Sequence, residues 1–111
     1  IGQAARVRDA LLVMTRTRLG AVSVVDGGGR IAGFFTDGDL RRGLQRDARL
    51  LERRLTGVMT RKPTTVRPGD TVATVLGILK TRGIDNLPVV DGARRPVGIV
   101  DERDLLAEGL V

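Results

Sequence analysis

The chain contains one internal repeat, and that repeat limits its fold more than any other feature. Val24-Val25-Asp26-Gly27 returns as Val89-Val90-Asp91-Gly92, an offset of 65. Held without gaps, the same offset pairs Val7 with Val72, Leu11 with Leu76 and Arg30 with Arg95. It also pairs Gly33 with Gly98, Asp39 with Asp104 and Leu40 with Leu105, giving ten identities in one register. Two copies are too few for a solenoid, so the expectation is two units that pack against each other.

Each copy reads as helix, strand, strand, helix. Val7, Ala10, Leu11 and Met14 fall at i, i+3, i+4 and i+7, and Val72, Val75, Leu76 and Leu79 repeat that spacing. This is the apolar stripe of a core-facing helix. Pro68-Gly69-Asp70 punctuates the chain before the second of these helices, with Asp70 as the expected N-cap. Strands are expected at Ala21 to Val25 and Leu87 to Val90, each followed by a glycine-containing turn. Second strands then run over Ile31 to Phe35 and Val97 to Val100. Closing helices are expected from Asp37 to Arg46 and from Glu102 to Gly109, and a small strand at Thr64 to Val66. The fold class is α/β (α+β), with repeat 1 at 1–46, a charged, partly helical connector at 47–61 and repeat 2 at 62–111. In this register Ile1 matches Val66, and no initiator Met is present. The chain therefore reads as a fragment of a longer protein that begins inside its first unit.

Composition removes several classes of chemistry. The 111 residues contain no Cys and no His. Thiol chemistry is thus absent, as are the commonest general base and the commonest metal ligand. No apolar run approaches the ~20 residues of a membrane span. The net charge of +6 favours anionic partners. Aromatic residues are limited to Phe34 and Phe35, however, so stacking platforms for single-stranded nucleic acid are missing. The expectation is no nucleic acid, no membrane, no metal and no catalytic residue.

Two segments invite a site. Gly27 to Ala32 fits the spacing G-x-G-x-x-G/A, but a strand follows it where a dinucleotide site needs a helix, so a hairpin turn is the better reading. In Phe35-Thr36-Asp37-Gly38-Asp39-Leu40 a strand gives way to a helix within a few residues. Thr36 is an N-cap candidate there, and free N–H groups at a helix start can receive a phosphate. Asp39, about one turn on, could accept from ribose hydroxyls. The plain alternative is that Thr36 caps the helix while Asp37 and Asp39 complement its dipole; spacing alone does not separate the two. Asp37 and Asp39 without further ligands make a weak metal pair. Arg41, Arg42, Arg46, Arg49, Arg53 and Arg54 read as a solvated face, and Arg94 and Arg95 as hairpin-turn residues.

Val-Val-Asp followed by Gly-φ-φ-Thr-x-x-Asp-Leu, in paired units, resembles a tandem CBS domain pair (a Bateman module) over essentially the whole chain. Ile84 to Asp91 looks like the family's central strand entry, and Val58-Met59-Thr60 like its linker. Leu19-Gly20-Ala21 with Phe35 to Arg42 is similar to the C-terminal CBS pair of the KpsF/GutQ arabinose 5-phosphate isomerases. The resemblance implies two CBS repeats packed with pseudo-two-fold symmetry and a nucleotide-type ligand in the cleft between them. It places a phosphate at Thr36, with Asp37 and Gly38 beside it, and a ribose at Asp39. Lys62, Pro63, Thr64 and Thr65 would frame the base, with Ile84, Asp85 and Pro88 closing the pocket. Thr36 is matched by Asp101, whose carboxylate would repel a phosphate, so the second site, at Asp101 and Asp104, is expected to be silent. CMP-Kdo or an adenine nucleotide is the implied ligand, with no obligatory cofactor. Further expectations are a cytoplasmic parent whose separate isomerase domain does the chemistry, and homo-oligomers formed through the CBS pairs. The alternative reading is a ligand-free oligomerisation scaffold.

Overall fold

The computed structural model describes residues 1–107, and side chains through residue 105. The chain divides into unit 1, Ile1–Pro63, and unit 2, Thr64–Val111. Unit 1 contains α1 (Val7–Thr17), β1 (Ala21–Val25), β2 (Ile31–Thr36), α2 (Asp37–Arg46) and β3 (Thr60–Arg61). Unit 2 contains α3 (Val72–Arg82), β4 (Asn86–Val90), β5 (Pro96–Asp101) and α4 (Glu102–Ala107). The expected end of the last helix at 108–109 lies outside the described residues.

In unit 1, β2 lies between β1 and β3, and both pairings are antiparallel. Val22 and Val24 of β1 and Phe35 of β2 point to one face, where Val7, Ala10 and Met14 of α1 cover them. The period of two in the strands thus meets the 3.6-residue period of the helix. Segment 47–61, read from sequence as a connector, is part of unit 1. It forms two 3-10 turns, Leu50–Glu52 and Leu55–Gly57. Leu50 and Leu55 are buried in the same core, and the Leu55 N–H donates to the Ala5 carbonyl at 3.0 Å. β3 was not anticipated. It follows Met59, whose side chain lies against Gly33 so closely that a Cβ there would overlap its sulfur.

Unit 2 repeats this plan with a smaller core of Val66, Val75, Leu79, Leu87 and Leu105. The expected strand at Thr64 to Val66 is reduced to a single parallel bridge from Val66 to Val89. Asp70 is not the cap of α3. Thr71 holds that place, its hydroxyl accepting from the Thr74 N–H at 3.1 Å, while Asp70 accepts from the Arg67 N–H one turn earlier.

The repeat extends to single hydrogen bonds. Ser23 and Pro88 carbonyls accept from the backbone nitrogens of Ile1 and Val66, both at 3.1 Å. Val25 and Val90 N–H groups return bonds to Ile1 and Val66 at 2.8 and 2.9 Å. Asp26 and Asp91 organise the two hairpins alike, each carboxylate accepting two backbone N–H groups across the turn. Gly29 and Arg94 occupy the same left-handed position, at φ 80° and 64°. Both hairpins also carry their register shift at the matching valine pair, Val24/Val25 and Val89/Val90.

Candidate functional site

Thr36 stands where β2 becomes α2, in extended backbone at φ −121°. Its hydroxyl accepts from the Asp39 N–H at 3.1 Å, and the Asp39 carboxylate accepts from the Thr36 N–H at 3.0 Å. This is a reciprocal capping box, with Asp at the third position. The other Asp39 oxygen accepts from Arg42 Nη2 at 2.9 Å. The Arg42 guanidinium also overlies Gly38, where an added Cβ would lie 3.0 Å from Nη1. The Asp37 N–H is tied to the Gly20 carbonyl at 2.9 Å, fixing the helix start against the entry to β1. The cap is therefore formed within the chain, and each Asp39 oxygen retains acceptor capacity beyond its one bond.

Thr36, Asp37, Gly38 and Asp39 are brought together here. Lys62 and Pro63 are not beside them. β3 runs antiparallel to β2 with Arg61 opposite Gly33, so Lys62 leaves at the Ala32 end, about 13 Å along the strand from Thr36 at ~3.3 Å per residue. In unit 2, the bridge at Val66 sets Thr64 and Thr65 alongside the first half of β4, which holds the buried Pro88. Ile84 and Asp85 precede β4 and are exposed, and the Asp85 carbonyl accepts from the Glu102 N–H at 2.8 Å.

Asp101, the counterpart of Thr36, is built differently. Its carboxylate accepts from the Arg103 backbone N–H at 2.8 Å and from Arg103 Nε at 3.0 Å. Its own N–H donates to Asp104 at 3.1 Å. Burial pushes the Asp101 carboxyl up, but the Arg103 side chain and backbone outweigh this and hold it below the ordinary carboxylate value. The position thus carries a fixed negative charge neutralised from within the chain.

The basic run after Asp39 resolves mostly into exposed local pairs. Arg42 meets Asp39, Arg49 meets Glu52 and Arg53 meets Asp47, while Arg54 donates to the Ala4 carbonyl. Such surface pairs contribute at most about 1 kcal/mol each. Sequence reasoning counted Arg42 in this solvated face, although its i,i+3 spacing from Asp39 was the available signal for a pair. It also passed over Ser23, whose Oγ is a buried side-chain atom without a hydrogen-bond partner among the described residues. Also among the described residues, no group of three or more acidic side chains could hold a metal ion, and no helix is long and apolar enough to cross a membrane.

Up to neutral pH, side-chain titration should be confined to acid. The hydrogen bond from Arg53 holds Asp47 below its ordinary value, and the backbone N–H of Arg95 does the same for Asp91. Carboxyls lowered by folding, Asp101 included, stabilise the protein above their unfolded pKa of about 4 and lose that contribution as pH falls through the folded value. Without histidine, no side chain has an ordinary pKa between 5 and 8. The urea midpoint is expected to be flat from about pH 5 to 7 and to fall below about pH 4. A drop within the neutral range would contradict this assignment.

The comparisons with known proteins agree with this architecture. The CBS domain family model matches residues 1–46 and 55–110. Arabinose 5-phosphate isomerase KdsD of Pseudomonas aeruginosa is 43% identical over 102 residues, covering 92% of this chain and 31% of that protein. KdsD of Escherichia coli K12 is 36% identical over 111 residues, covering 100% of this chain and 34% of that protein. The chain thus spans about a third of the length of these curated relatives. Among solved structures, the CBS-domain containing protein ATU1752 from Agrobacterium tumefaciens superposes with a TM-score of 0.88 at 23% identity, covering 98% of this chain and 86% of that one. The CBS domain pair of protein MJ0100, solved in complex with 5′-methylthioadenosine and S-adenosyl-L-methionine, gives a TM-score of 0.86 at 24% identity, covering 97% of this chain and 88% of that one. At these identities the structural matches establish the fold alone. With both halves matched by the family model and the KdsD relatives aligned along its length, the chain belongs to the CBS domain family and is a pair of such domains.

Proposed function

We propose that this chain is the regulatory CBS pair of an arabinose 5-phosphate isomerase, sensing a nucleotide or nucleotide sugar. The observation that carries the reading is the 43% identity to KdsD over 92% of the chain. The parent would be a cytoplasmic homo-oligomer in which a separate domain interconverts aldose and ketose phosphates. The ligand we favour is CMP-Kdo, acting as a feedback signal from Kdo and lipopolysaccharide synthesis, with an adenine nucleotide as the generic alternative. The two ligands bound by the MJ0100 pair contain adenosine and no phosphate, so they support a nucleoside-containing ligand.

In this reading the phosphate meets Thr36 and the Gly38 N–H at the start of α2, and Asp39 accepts from ribose hydroxyls. A ligand changes activity only through its differential affinity for two arrangements of the parent protein. Isothermal titration with CMP-Kdo, CMP, AMP and ATP tests the idea. Heat is expected with at least one of them, and silence with all four contradicts the sensor reading.

One observation favours a second reading. Thr36 and Asp39 already satisfy each other, and Arg42 occupies the remaining Asp39 oxygen. A ligand-free oligomerisation module would need nothing more from them. In that case Thr36→Ala and Asp39→Ala leave ligand responses unchanged while association persists.

A further inference from the structure

We infer that the free edge of β5 in unit 2 is a docking site for an extended segment of the parent chain just ahead of Ile1, which lays a large apolar side chain on Gly98. The inference rests on the reading of this chain as part of a longer isomerase, and on no ligand.

The two sheets are unequal. In unit 1, β2 is paired on both sides, with β1 and with β3. In unit 2, β5 pairs with β4 and has no second neighbour among the described residues. Gly33 and Phe34, which face Arg61 and Thr60 of β3, are matched in the repeat by Gly98 and Ile99. The first two are buried, whereas Gly98 is exposed and Ile99 half-buried, and Val97 beside them is 56% exposed. An apolar strand edge of this kind is a template for one more strand.

Unit 1 shows what that strand brings. A Cβ on Gly33 would overlap Met59, whereas a Cβ on Gly98 would meet nothing within 4 Å. Val58 and Met59 both pack against the unit 1 core. The place that Met59 fills in unit 1 is therefore open in unit 2. Met59 stands seven residues before Val66, and Val66 is the match of Ile1. Ile1 and Val66 also make equivalent backbone bonds to β1 and β4. The repeat thus sets a second copy of the Val58 to Arg61 segment ahead of Ile1. The chain spans about a third of its curated relatives, and in the reading above it is the C-terminal part, so the remaining chain arrives at Ile1.

Hydrogen exchange over Pro96–Asp101 tests this in the 111-residue chain, in the parent, and in the chain lengthened at its N-terminus by about 15 parent residues, enough for a strand and its connection. Exchange is expected to be about tenfold slower, or more, in both longer proteins. Gly98→Leu should cancel that slowing, because the leucine fills the open place. In the 111-residue chain the same substitution should leave the urea midpoint unchanged or higher, since it replaces an exposed strand glycine. Equal exchange in all three proteins overturns the inference and leaves the regulatory reading, which nucleotide titration tests, standing. Slowing in the parent alone assigns the edge to another part of that protein and overturns the upstream strand. Slowing that rises with the concentration of the 111-residue chain assigns it to a second copy, with the same consequence.

Discussion

Truncation of Phe35 to alanine is expected to lower stability by about 3–5 kcal/mol. Phe35 is 1% exposed and sits at the centre of the unit 1 core, where β2 meets α1. Its removal leaves a cavity between Val7, Met14 and Val22, members of the same cluster, which are themselves buried and can close over it only in part. Urea denaturation measures the effect directly as a fall in midpoint with little change in slope. A loss below about 1 kcal/mol would mean that the site collapses freely, contrary to the packing described.

Leu55→Ala is expected to cost about 2–5 kcal/mol, although the residue sits among Arg53, Arg54 and other charges in a stretch that reads as a connector. Leu55 is fully buried, and its backbone N–H is bonded to Ala5. Leu44, on α2, is 44% exposed, so Leu44→Ala should stay within about 0.5 kcal/mol and serves as the control. If the two substitutions have equal effects, segment 47–61 is a tether and not part of the unit 1 core.

These two residues also mark how far the fold could be read from sequence. Phe35 was legible because it ends an apolar run just ahead of the Thr-x-x-Asp helix start, and the expected bounds of β1 and α2 agree with those observed. The repeat made both hairpins legible, since Asp26 and Asp91 each introduce a turn whose geometry needs a carboxylate and a left-handed residue. Leu50 and Leu55 were not legible. They lie on separate 3-10 turns with neither helical nor strand period, and the surrounding arginines give the segment a solvent-facing pattern. β3 was hidden for the same reason: two exposed polar residues, Thr60 and Arg61, are placed by Met59 packing on Gly33 and not by any pattern of their own. The error of one residue at the α3 cap arose because Asp70 and Thr71 are both good capping types.

The candidate site divides along similar lines. Thr36 stood out as a cap because a strand gives way to a helix there, and the structure forms that cap; the bond that Asp39 returns to the Thr36 N–H was not read from the sequence. The difference at Asp101 was visible as soon as the copies were aligned, but its neutralisation by Arg103, two residues on, needed coordinates. Ser23 gave no signal, since one hydroxyl in a valine-rich strand is ordinary until its surroundings prove to offer no partner.

The proposed sensor is asymmetric: two copies of one fold, with the ligand's phosphate received by unit 1 and refused by unit 2. Stoichiometry tests it most directly, through calorimetric titration of wild type, Thr36→Ala and Asp101→Ala with the nucleotide that binds best. One ligand per chain is predicted, weakened at least about tenfold by Thr36→Ala, a change of ~1.4 kcal/mol, and left in place by Asp101→Ala. Two ligands per wild-type chain, or full-affinity binding by Thr36→Ala, would contradict the account.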